Sequence, residues 1–164
     1  MFSMEEALHH NKVSRYIMEA RITIKRCVKN EASRQNEASR HKEKIMEKDK
    51  SVEMAKLAIA ALEEKKAEDI RVIDISEVSV IADYFIIAGG SNRNQIQALC
   101  DNVLEKLGRA GYPEKQVEGY NTANWVLIDF VDVIVHIFDR ENRLLYDLER
   151  IWRDGRQVDL KELE

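Results

Sequence analysis

The sequence predicts an α/β domain, a mixed β-sheet flanked by helices, behind a charged N-terminal extension that is helical or disordered. Three observations carry this. Tyr84-Phe-Ile-Ile-Ala88 is apolar almost throughout, which marks a strand buried on both faces and a sheet with helices on both sides. Trp125-Val-Leu-Ile-Asp129 and Val133-Ile-Val-His-Ile-Phe138 are separated by three residues, the spacing of a hairpin. Met54, Leu57, Ala58, Ala61 and Leu62 repeat as the stripe of an amphipathic helix.

The elements follow in order. Residues 1–50 hold neither Gly nor Pro and carry 12 Lys/Arg against 8 Asp/Glu, a net of +4. They include a tandem hexapeptide, Asn30-Glu-Ala-Ser-Arg-Gln35 then Asn36-Glu-Ala-Ser-Arg-His41. Val13, Ile17, Ile24 and Val28 give a thin helical stripe over residues 4–30. So few apolar residues cannot offset ordering entropy, so residues 1 to about 46 are expected to be dispensable, with Met46 a candidate natural start. The boundary is placed at Ser51, an N-cap residue, with Glu53 in the first turn. Ile70, Val72, Ile73 and Ile75 form a first strand, and Tyr84–Ala88 the second. Gly89-Gly90 ends it, and Ser91 caps a helix with Ile96, Leu99, Val103, Leu104 and Leu107 inward. Gly108 or Gly111 stops that helix and Pro113 prevents its restart. A short strand near Val117, the hairpin, and a helix from about Glu141 to Trp152 complete the domain, residues 51–164.

Composition narrows the function. Residues 51–164 carry 14 Lys/Arg against 22 Asp/Glu, a net of −8. An acidic domain is poorly suited to gripping phosphate backbones, so no dedicated nucleic-acid binding is expected, and a basic protein is the better partner. Neither a membrane span nor a signal peptide is read from the sequence, and Cys27 and Cys100 form no CxxC, so the chain is expected to be cytoplasmic with free thiols. His9, His10 and His41 make no metal spacing with Cys27, so neither metal nor cofactor is expected.

Four segments together resemble the Iojap/RsfS family. They are Asp83–Ser91 with Arg93 and Gln95; Glu118-Gly119; Trp125–Asp129 running into Asp132–Phe138; and Arg143 with Tyr146–Trp152. The lead-in Lys66–Ile70 with Val72–Ile75 is similar as well, so the resemblance covers roughly residues 52–156. It implies a homodimer with a nucleotidyltransferase-like fold and no catalysis. It also implies binding to the large ribosomal subunit, at its universal protein fourteen on the intersubunit face. That contact keeps the small subunit away and represses translation when nutrients are scarce. Two positions depart from the family pattern. Val131 stands where Gly usually precedes the Asp of the hairpin turn, and Gly89-Gly90 replaces a Ser/Thr-Gly pair.

The residues also admit a nucleotidyltransferase-type enzyme or a dimeric adaptor without ribosome binding. Gly89-Gly90-Ser91 before a helix can hold an anion. The paired carboxylates that would hold Mg²⁺ are missing, because Asp129 and Asp132 lie three apart across a turn. Trp125, Asp129, His136, Phe138, Arg143 and Tyr146 are the candidate partner-binding residues, with no catalytic residue among them. Trp125 shares a strand face with Asp129, which argues against deep burial and leaves interface and core both open. The His136/Phe138 face is the expected binding surface. Glu149 is placed to pair with Arg153 at i+4.

Overall fold

The computed structural model describes residues 37–163. Cys27, His9, His10 and the stripe over residues 4–30 lie outside them. The first helix of the described residues, α1 (Glu37–Glu64), runs straight through the boundary at Ser51. Ser51 is therefore not an N-cap. It is fully buried, and its hydroxyl donates to Asp83 Oδ2 at the head of the second strand. Lys50 Nζ meets Asp132 Oδ2 at 2.9 Å and Lys48 Nζ meets Asp74 Oδ2 at 4.0 Å, so this part of α1 is joined to the sheet. The turn Lys65–Ala67 leads into β1 (Glu68–Asp74), and β2 (Tyr84–Gly89) follows it antiparallel. Then come α2 (Arg93–Arg109), β3 (Gln116–Glu118), β4 (Trp125–Asp129) and β5 (Val133–Phe138). Two short helices, α3 (Arg140–Tyr146) and α4 (Leu148–Ile151), precede β6 (Arg156–Val158) and a final 3-10 turn.

The six strands form one mixed sheet in the order β3-β4-β5-β2-β1-β6. Its central pair, β5 and β2, is parallel and all other pairs are antiparallel. Every residue of β2, β4 and β5 is buried, which is the two-sided burial their apolar runs predict. On one face, Met54, Ala58 and Leu62 of α1 and Ile96, Leu99, Val103 and Leu107 of α2 pack on Ile86, Val126, Val135 and Ile137. Burying each such side chain stabilises the fold by roughly 1.5–3 kcal/mol. The buried Asn102 amide donates to Ala61 O at 2.7 Å and locks the two helices together. On the other face, Phe85, Ile87, Trp125, Leu127, Ile134 and Phe138 pack beneath Leu148 and Trp152. Alternation along β4 and β5 therefore sorts the residues between faces as their sequence predicts.

Two helix ends differ from expectation. Asn92, not Ser91, caps α2, because its side chain accepts from Gln95 N at 3.0 Å. The last helix breaks at Asp147, which takes a left-handed conformation (φ 41°) between α3 and α4. The predicted pairing of Glu149 with Arg153 is not made. Glu149 instead accepts from Arg143 at 2.8 Å, because the break turns α4 back towards α3.

Val131 shows what its departure from the family pattern costs. It lies at φ 74°, an outlier for a β-branched residue. Asp132 N donates to Phe130 O at 3.0 Å, closing a three-residue γ-turn, a strained form at positive φ. Asp129 supports the turn by accepting from Val131 N at 2.7 Å. Strain of about 1–3 kcal/mol exceeds the entropy a glycine adds to the unfolded chain, about 0.5–1 kcal/mol. Val131→Gly is therefore expected to raise unfolding stability by about 1 kcal/mol in a denaturant titration. A chain beginning at Met46 keeps Lys48, Lys50 and Ser51. It is expected to unfold within about 0.5 kcal/mol of the full chain, the usual scale of surface changes. A larger loss would show that residues before Met46 pack on the domain.

Candidate partner-binding surface

The buried end of β4 and β5 builds an aromatic cluster. Trp125 lies directly across from Phe138, with ring centroids 4.8 Å apart and nearly parallel. Trp125 Nε1 donates to His136 Nδ1 at 3.2 Å, which assigns the imidazole proton to Nε2. His136 Nε2 and Trp152 Nε1 are then two buried donors without a hydrogen-bond acceptor. Phe85 meets both rings edge-to-face at 5.0 Å. Burial alone holds His136 neutral by pushing its pKa down to about 3, so it takes up no proton near neutral pH.

Four of the six candidate residues lie beneath the surface. Trp125, Asp129, His136 and Phe138 are all essentially inaccessible. The burial argument from Asp129 fails because its carboxylate is satisfied locally: Val131 N donates to it and Lys115 Nζ stands 3.6 Å away. A charge so partnered does not bring its neighbours into water. Nor does the His136/Phe138 face stand open, because α3 and α4 cover it. Tyr146 of α3 lies on Trp125, with centroids 4.5 Å apart.

The other two, Arg143 and Tyr146, lie on α3 and are partly buried. Arg143 bridges three segments. It meets Asp69 at 3.0 Å, Glu149 at 2.8 Å and Glu68 O at 3.4 Å. Asp69 reaches it because β1 carries one extra residue between Glu68 and Arg71, a bulge at which Asp69 takes φ 44°. Residues that the sequence reading did not single out complete the surface. Leu144 and Leu145 point outward, 76% and 57% exposed. The two adjacent leucines stand in the sequence as Arg-Leu-Leu-Tyr, but no motif there marks them as exposed. An open cleft beside them is lined by Glu68, Asp69, Gly89, Arg140, Arg143 and Leu144.

At the start of α2 the chain's own side chains take two of the backbone donors: Gln95 Oε1 accepts from Ser91 N at 2.7 Å, and Asn92 takes Gln95 N. Gln95 Nε2 also donates to Lys66 O at 2.9 Å, and Arg93 donates to Asn121 O. The family-like Arg93 and Gln95 thus tie down neighbouring turns. Cys100 is free and buried, and desolvation pushes its thiol up to about 12, so it is unreactive. Among the described residues no three His, Cys, Asp or Glu side chains gather as metal ligands. No described helix is long and apolar enough to cross a membrane.

Residues 48–164 match the family model RsfS, described as ribosomal silencing factor during starvation. The chain belongs to this family. The ribosomal silencing factor RsfS of Bacillus subtilis is 40% identical over 105 residues, covering 64% of this chain and 89% of that protein. A solved Chromobacterium violaceum structure superimposes with a TM-score of 0.61 at 37% identity, covering 65% of this chain and 88% of that one. A more distant mouse relative, 26% identical over 58% of this chain and 43% of its own length, is named for mitochondrial assembly of the ribosomal large subunit. The RsfS match spans the whole sheet and so includes the aromatic cluster, the start of α2 and α3.

Proposed function

We propose that this chain is a cytoplasmic, non-enzymatic ribosomal silencing factor that binds the large subunit and sterically blocks association with the small subunit. The match of the RsfS family model to residues 48–164 carries this reading. We take the contact to be the subunit's universal protein fourteen, and the working form to be a homodimer. The surface of α3 supports a protein contact. Leu144 and Leu145 supply apolar area, Arg140 and Arg143 supply charge, and Tyr146 adds an aromatic ring of the kind enriched at interface centres. Trp125, His136, Phe138 and Asp129 contribute from below by holding α3 and the hairpin in place. Steric occlusion needs no chemistry, only an interface of adequate size, about 1,200–2,000 Å² in stable complexes. The net acidic charge of residues 51–164 favours a basic ribosomal protein over RNA.

Sedimentation of purified large subunits with the protein tests this reading. The expected result is that the protein travels with the large subunit. Leu144→Glu should weaken that association at least about tenfold, since it places a charge in the apolar centre of the contact. Both proteins should leave nucleotides unaltered. A protein that stays at the top of the gradient at saturating subunit concentration contradicts it.

A further inference from the structure

We propose that α3 is a lid: Arg143 clasps it shut, and its release uncovers the Trp125–Phe138 aromatic face while the rest of the domain stays folded. Four observations converge on this. First, α3 has seven residues and none is fully buried; Leu144 and Leu145 face outward, so Tyr146 is the one apolar side chain that packs it on the domain. A helix this short is not stable by itself. Second, it is bounded by firm anchors. Asp139 N donates to Asn124 O at 2.9 Å before it, and Leu148 and Trp152 are buried after it. Third, the chain changes direction at Asp147 in the left-handed region, and the acidic partner Asp69 is held in that region too. The left-handed cap at Asp147 separates α3 from α4 and so marks the far end of the lid. Fourth, a cleft runs between α3 and the ends of β1 and β2, past Gly89 and Gly90, and Arg143 spans it.

The closed state thus depends on two contacts. Tyr146 lies on Trp125, and Arg143 holds Asp69, Glu149 and Glu68 O. Segments with few buried contacts open locally without global unfolding. Opening α3 exposes the Trp125 ring, while Trp152 stays packed on Phe85 beneath α4. The lid's existence does not depend on ribosome binding, because opening is a property of the free protein.

Hydrogen exchange of the free full chain, read by mass spectrometry, tests the lid. Amides of Arg143 and Asp147, which donate to Asp139 O and Arg143 O, should exchange at least about 100-fold faster than those of β4 and β5. Arg143→Ala should speed exchange over residues 140–147 about tenfold more and leave β4 and β5 unchanged. The same variant should make tryptophan fluorescence more sensitive to acrylamide. Arg143→Lys keeps the charge but cannot hold three partners in a fork, so it should fall between the two. The proposal is overturned if α3 exchanges at the rate of β5, or if both variants shift the whole domain equally or neither shifts α3. Failure to bind ribosomes alongside fast α3 exchange would remove the proposed function and leave the lid standing.

Discussion

Trp125→Ala is expected to lower unfolding stability by about 3–5 kcal/mol, the cost of a large aromatic side chain removed from a core. The ring is almost fully buried, stacks on Phe138, lies under Tyr146 and supplies the donor to His136 Nδ1. Its removal leaves a cavity and frees a buried imidazole nitrogen. In a domain of this size each kcal/mol moves the melting temperature by several degrees, so the midpoint should drop by about 10 °C or more. Chemical denaturation measures the loss directly. A stability change below about 1 kcal/mol, with ribosome binding abolished, would place the ring at the interface and not in the core.

Gly119→Ala is expected to be as damaging despite adding one methyl group. Gly119 lies at φ 80°, and a Cβ there would stand 2.0 Å from the carbonyl oxygen of Trp125. That oxygen is backbone, so relief requires β3 and β4 to move apart, together with the loop that Ala123 N and Thr122 close onto Gly119 O. Left-handed strain and overpacking together should cost about 3 kcal/mol or more. Gly108→Ala supplies the contrast. It sits in α2 with open space around its Cα and should stabilise the protein by about 0.5–1 kcal/mol. Paired thermal melts compare the two, and equal effects would show that the crowding at Gly119 is misassigned.

These residues also show what the sequence made legible. Strands built from β-branched runs were readable, because Tyr84–Ala88 and Val133–Phe138 have few other stable conformations. The three-residue turn between β4 and β5 fixed the hairpin. β6 was not readable, because Arg156-Gln-Val158 has neither an apolar run nor alternation and pairs only with the end of β1. The break at Asp147 escaped for a different reason. Helical spacing continues through Arg143, Tyr146 and Arg150, and nothing local marks an aspartate that will turn left-handed. Alternation placed Trp125 and Asp129 on one strand face but could not say what covers that face. Two short helices cover it, and Lys115 with the Val131 amide satisfies the carboxylate. Of the six residues singled out from the sequence, Arg143 and Tyr146 stay partly exposed; Leu144 and Leu145 were not singled out, because no spacing or motif marks which apolar residues of a helix face water.

Subunit joining tests the central claim most directly. Purified small and large subunits are mixed at a magnesium concentration that favours joined ribosomes, and light scattering follows their association with and without saturating protein. Steric occlusion predicts that the protein lowers the joined fraction in proportion to its occupancy of the large subunit, without nucleotide and without consuming any substrate. Full joining while the protein remains bound to the large subunit would contradict it.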